Sequence, residues 1–156
     1  MESLSPYSKI WVYQADRDLS EKEVETISDY LISFCREWTA HNQQLLADFE
    51  ISHKRFIVLK VDETHTNTSG CSIDKSVNAL KDLSKELGVN FFNRMALPYL
   101  QNHEIKTVDF NHIEEALEQK KIIGSTLFFD LNVKTLGQFR KAFLIQLKEH
   151  WAYPKI

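Results

Sequence analysis

Glycine is scarce in this chain, at four residues in 156, and only three prolines accompany it. The phosphate-cradling glycine loops are accordingly missing. There is no G-x-x-x-x-G-K-[ST], no G-x-G-x-x-G and no G-x-S-x-G to present backbone N–H groups or a strained nucleophile. Cysteine is as rare. Cys35 and Cys71 have no metal-type spacing and are too few for a secreted disulfide scaffold, so both are expected as reduced thiols of a cytoplasmic protein. Val77 stands six residues after Cys71, where a phosphatase-style C-x5-R loop needs arginine.

Neither charge is in surplus. Lys and Arg number 19 against 22 Asp and Glu, a net charge of −3, so no nucleic-acid or anionic-membrane partner is expected. No apolar run approaches the roughly 20 residues of a membrane span. The opening Met1-Glu2-Ser3-Leu4-Ser5-Pro6 has neither the basic nor the apolar region of a signal peptide. With no linker, repeat or low-complexity segment, residues 1–156 read as a single α+β domain.

What is present is strong local patterning. Ile10 to Gln14 reads as a first strand, and Ser20-Glu21-Lys22-Glu23 as a capping box opening a helix. Val24, Ile27, Leu31, Phe34 and Trp38 recur at helical steps and form its buried stripe. Leu45, Ala47, Phe49 and Ile51 alternate with Leu46, Asp48 and Glu50, then Phe56-Ile57-Val58-Leu59 continues to Val61. These two runs predict an antiparallel hairpin whose second strand is central. Ile73, Val77, Leu80, Leu83 and Leu87 mark a second helix stopped by Gly88.

Further on, Pro98 restricts Met95–Leu100 to an edge or irregular strand. Ile105–Phe110 is a strand candidate, and Asn111 caps a short helix to about Lys121. Leu127, Phe129, Leu131 and Val133 alternate as a last strand. Thr135-Leu136-Gly137-Gln138 then opens a helix carrying Phe139, Phe143, Leu147 and Trp151. The expected class is α+β, with a mixed, largely antiparallel sheet packed with helices. Its order resembles a ferredoxin-like βαββαβ core extended by β-α-β-α.

The chemistry-bearing residues gather after the second strand of the hairpin. Asp62 and Glu63 end it, and a hydroxyl-rich loop leads to Ser69-Gly70-Cys71-Ser72-Ile73-Asp74. With Ser72 as N-cap, the Cys71 sulfur lies beside the unpaired N–H groups of the helix start, which favour anions and thiolates. Gly70 there allows close backbone approach. His41, three residues after Trp38, falls on the buried stripe if the first helix runs one more turn. It is the candidate base for a Cys71 nucleophile, with Asp62 or Glu63 as orienter. Each has a plainer reading: a packed thiol, a histidine closing a helix, acids that solvate a strand end, and Asp74 answering the helix dipole. Arg94 can meet those acids or an anionic ligand. Asp62, Glu63, His65, Cys71 and Asp74 match no structural zinc spacing, and no cofactor is expected.

Trp38-x-x-His41, Val61-Asp62-Glu63 and Ser69-Gly70-Cys71-Ser72-Ile73-Asp74 together resemble a small bacterial protein family of about this length, over most of the chain. That family has no assigned activity, although its members often carry the label ABC transporter ATPase. The residues here do not support the label, since the Walker A loop and a signature-type glycine segment are absent. The resemblance implies a shared site around Cys71.

Three functions follow as expectations. The first is binding of a polar or anionic small molecule by Ser69, Gly70, Ser72 and Asp74 at the helix start, helped by Arg94 and His41. The second is a thiol-dependent enzyme using Cys71, His41 and Asp62 or Glu63. The third is an interaction or scaffold protein with a protein partner.

Overall fold

In the computed structural model, which describes residues 4–155, the chain divides into two compact units. The first comprises Met1–Phe92 with Val133–Phe139, the second Asn93–Asn132 with Arg140–Ile156. The architecture is α+β, with four α-helices and three antiparallel sheets among the described residues. The expected mixed character is absent there, because every strand pair is antiparallel.

The first unit holds β1 (Lys9–Gln14), α1 (Glu21–Glu37), β2 (Thr39–Ala40), β3 (Gln43–Gln44), β4 (Leu46–Ser52), β5 (Phe56–Asp62) and α2 (Gly70–Leu87). Its main sheet has the order β1-β5-β4, with Trp11 and Phe49 both opposite Leu59. Since β1 and β4 each run antiparallel to β5, they run parallel to one another and α1 connects them. This is a split βαβ arrangement. The predicted order therefore holds through α2, but the following strand joins a different sheet, so the sixth element of the ferredoxin-like core does not take its place. Beside β1 lies the segment at Thr135. Lys9 and Thr135 form a single antiparallel bridge. The Ile10 N–H donates to the Lys134 carbonyl, and the Leu136 N–H to that of Ser8.

α1 begins where the capping box places it. The Ser20 side chain accepts from the Glu23 N–H, and Glu23 returns a bond to Ser20. Arg17 grips the same carboxylate with two 2.7 Å bonds, which hold Glu23 well below the usual range, at about 2. The buried face carries Ile27, Leu31 and Cys35. Ile27 and Leu31 join Tyr13, Ile57, Leu59, Leu80 and Leu83 in the main core of this unit. Every residue of β5 is buried. Lys60 is accommodated there by a 2.7 Å ion pair with Glu50, its diagonal neighbour on β4.

The second unit holds β6 (Ala96–Gln101), β7 (Glu104–Asp109), α3 (Ile113–Glu118), β8 (Leu127–Phe129) and β9 (Leu144–Gln146); α4 (Leu136–Ala142) crosses from one unit to the other. The sheet order is β7-β6-β8-β9. Leu97, Tyr99, Ile113, Ala116, Ile122, Phe128 and Leu147 make its core.

Four sequence expectations fail in the C-terminal half. Pro98 sits inside the sheet instead of at its edge. It is tolerated because β6 makes its long ladder with β7 and meets β8 at one pair, Tyr99 with Phe128. The cap before α3 is Asp109, which accepts from the Asn111 N–H at the start of a 3-10 turn, Phe110–His112. The expected last strand ends at Phe129, and the expected long helix stops at Ala142. Thr135 does cap the Gln138 N–H, but the Gln138 amide oxygen accepts from Lys134. Beyond it Leu144–Gln146 turns extended and pairs with β8, Ile145 opposite Phe128. Phe143, Leu144 and Ile145 suit a strand as well as a helix, and the open edge of β8 decides between them.

Candidate functional site

α2 starts three residues earlier than its periodicity suggests. Ser69, not Ser72, is the N-cap. Its hydroxyl accepts from the Ser72 N–H at 3.1 Å, and the Ser72 hydroxyl accepts from the Ser69 N–H at 2.7 Å. Serine thus fills the return position usually held by Glu or Gln. Ser72 is fully buried, and its carbonyl accepts a 2.8 Å bond from the Trp38 indole. Its role is to anchor the helix. Cys71 becomes the second helical residue and is exposed, not packed before a cap. A Cβ at Gly70 would meet nothing within 4 Å, so no close approach requires glycine there. Asp74 is exposed and lies beyond the first turn.

The two acids after β5 are occupied. Asp62 accepts from the Ser5 N–H at 3.2 Å, from the Thr64 N–H at 3.0 Å and from the Thr64 hydroxyl. The Thr64 hydroxyl, then the Thr64 and Ser5 amides, hold its carboxyl below the usual range against burial. Around Glu63, burial pushes upward, but the Thr68 N–H and hydroxyl and the Lys9 ammonium outweigh it and the net shift is downward. The Thr68 bonds measure 2.7 and 2.9 Å and the Lys9 contact 3.3 Å. Both carboxylates fold the loop back on itself.

His41 is not on a buried helical stripe. α1 ends at Glu37 with Trp38 extended, and His41 with Asn42 makes the exposed turn between β2 and β3, at φ 53° and 62°. This hairpin meets the loop and helix through Thr66 to Gln43 at 2.9 Å and Lys75 to Thr39 at 3.3 Å. Neither acid proposed as orienter makes a hydrogen bond to His41. No group of three or more His, Cys, Asp or Glu is placed to hold a metal ion among the described residues.

Arg94 belongs to the second unit, where it is exposed and lines a small cavity of about 120 Å³ with Leu97, Pro98, Phe129 and Leu131. The buried His150 closes part of that cavity. Its Nδ1 lies 3.1 Å from the Ala152 N–H, which can only donate, so Nδ1 accepts. Nε2 then carries the proton and donates to the Phe129 carbonyl at 3.2 Å. Burial lowers the pKa of this imidazole, against the Phe129 bond and the Asp130 charge.

A larger opening in the same unit had no counterpart in the sequence expectations. It is a groove of about 580 Å³ between β7 and α3. His112, Glu115 and Gln119 reach it from positions i, i+3 and i+7, one face of the short helix and the turn before it. Thr107 comes from β7, and Lys121 from just beyond Lys120, whose φ of 58° ends the helix. Tyr99 comes from β6. Only 8% of Tyr99 is exposed, and its ring stacks on Phe128 at 5.1 Å. Its hydroxyl makes no hydrogen bond among the described residues and is not one of the buried polar atoms without a partner, so it is open to the groove. Gln119 donates to Glu115 at 3.2 Å. Neither Glu115 nor Lys121 forms an ion pair among the described residues. The sequence signal was faint: a tyrosine on the core-facing alternation with Leu97, and a polar stripe ordinary for an exposed helix.

No helix among the described residues is long and apolar enough to cross a membrane. Comparison with family models, curated proteins and solved structures gave no match for this chain.

Proposed function

We propose that the protein binds a small polar molecule, and that the groove between β7 and α3 is where it does so. The Tyr99 hydroxyl carries this reading. Its ring is buried and stacked on Phe128, while its oxygen, bonded to no described residue and not sealed from solvent, opens to the groove it lines and can donate to or accept from a ligand there. A volume of about 580 Å³ falls in the range of small-molecule sites, and Thr107, His112, Glu115, Gln119 and Lys121 beside Tyr99 make most of the lining polar, which suits a polar ligand. Val108, Ala116 and Ile122 supply the apolar wall. The class of function is that expected from the sequence, and the position moves from the Ser69–Asp74 loop to the second unit. The two free thiols support a cytoplasmic setting.

A thermal-shift screen of amino acids, short peptides, nucleosides, sugars, phosphates and carboxylates tests this. At a hundredfold excess over Kd a ligand stabilises the native state by about 2.7 kcal/mol, roughly 5–10 °C for a chain of this size. At least one compound is expected to do so for the natural protein and to lose most of its effect in Tyr99→Phe, which keeps the ring stack. A library that leaves both melting curves unmoved, or moves both equally, contradicts the proposal.

A further inference from the structure

Resting on the groove just proposed, we infer that its ligand is a small zwitterion of the amino-acid or dipeptide type, with its carboxylate toward Lys121 and its ammonium toward Glu115. The two side chains line one groove with opposite charge, yet neither is in an ion pair among the described residues. Both side chains are exposed, and the one hydrogen bond found for Glu115 comes from the neutral Gln119 amide at 3.2 Å, so both charges are available to a ligand. A simple anion in the groove would be drawn to Lys121 but repelled by Glu115; a simple cation would meet the reverse. A ligand bearing both charges answers both residues at once, and charge-assisted bonds are the stronger ones. In the same groove, the Tyr99 and Thr107 hydroxyls can each donate and accept, as a peptide C=O and N–H require. Val108, Ala116 and Ile122 leave an apolar wall for a small side chain.

The groove residues converge from three directions because of the local fold. Lys121 is held near α3 by its N–H bond to the Ala116 carbonyl at 3.0 Å. Glu115 sits one helical turn before Gln119 on the same face. Tyr99 is fixed by Phe128 beneath it. The charged side chains are thus attached to ordered backbone while their tips are unpaired.

The test is a set of four probes titrated by calorimetry: alanyl-alanine, its N-acetyl derivative, its C-terminal amide, and the N-acetyl amide. They share one skeleton and carry both charges, the negative alone, the positive alone, and none. Alanyl-alanine is expected to bind at least tenfold more tightly than each of the others. Lys121→Gln is expected to erase the preference for the free carboxylate, and Glu115→Gln that for the free amine, with both variants melting like the natural protein. If the N-acetyl form binds as well as alanyl-alanine and Tyr99→Phe weakens it, the groove is a site but the zwitterion inference is wrong. If none of the four binds at 10 mM, the inference is likewise overturned, while the groove itself stands or falls on the broader screen. Zwitterion binding left intact in both charge variants also overturns it.

Discussion

Ser69 and Ser72 exchange hydrogen bonds at the start of α2 while Trp38 holds the Ser72 carbonyl, so these two serines cap and anchor the helix. Cys71 stands beside them with its thiol in solvent, whereas burial pushes the Cys35 thiol up to about 12. Iodoacetamide at neutral pH is therefore expected to label the folded protein once, at Cys71, with Cys35 reacting only on unfolding; peptide mapping by mass spectrometry reads this directly, and rapid native labelling of Cys35 would contradict it. His150 makes a second prediction at this scale. Its imidazole is neutral in the fold, with Nδ1 committed as acceptor and Nε2 as donor, and its pKa is lowered by burial. The unfolded chain takes up the proton first as pH falls below the ordinary histidine value of about 6.5, so the stability this group contributes is present above that pH and lost below it. Urea midpoints measured from pH 7.5 to 5 should fall, and the fall should be smaller in His150→Gln. Asp62 and Glu63, both shifted downward, act in a lower window: their contribution is present above the ordinary carboxylate range and lost as pH drops through their folded values. Little of this was legible in the sequence. A serine pair does not reveal which member is the cap, and the partners of Asp62 and Glu63 lie in a loop whose path depends on those same bonds.

At the scale of elements, periodicity was a good guide wherever one face is buried over several turns. α1 begins at its capping box, and α2 ends at Gly88 in the left-handed conformation with its N–H on the Ser84 carbonyl. The C-terminal half was harder because Phe143-Leu144-Ile145 fits either period and the edge of β8 decides. Scarce glycine left the hairpin turns unmarked, and only the β4–β5 hairpin was legible, from its flanking strands. His41-Asn42, His53-Lys54 and Asn102-His103 all turn with two successive positive φ values, positions where Asn-Gly is the usual signal. An L-residue other than Gly or Asn pays about 1–2 kcal/mol in that region. His103→Gly in the turn between β6 and β7 is accordingly expected to stabilise the protein by about 1 kcal/mol in chemical denaturation. In the opposite direction, Ser69→Ala removes the cap of α2 and is expected to cost about 1 kcal/mol. A neutral result for Ser69→Ala would mean the capping box contributes nothing to stability.

At the scale of the molecule, two compact units share one chain that passes between them at residues 92, 132 and 139. The first unit is not continuous in sequence: the segment Val133–Phe139 returns to it, taking the Ile10 N–H on Lys134 and donating from Leu136 and Gly137 to Ser8 and Pro6. A fragment of residues 1–92 would expose that side of β1, an open edge of the kind that favours aggregation. It is expected to be markedly less stable and less soluble than the whole chain, and a fragment with the full-length urea midpoint would show that the returning segment is dispensable. The α+β class was readable from the order of helices and strands; the division into units was not, because it depends on which sheet β6 joins. The polar groove was not legible in the sequence for a related reason, since Tyr99, Thr107 and Lys121 come together only when β6, β7 and α3 pack. The most direct measurement is a two-dimensional amide NMR titration of the whole protein with alanyl-alanine. The groove account predicts saturable shifts clustered at Tyr99, Thr107, His112, Glu115, Gln119 and Lys121; shifts centred on Gly70 to Asp74 instead, or none at millimolar ligand, would contradict it.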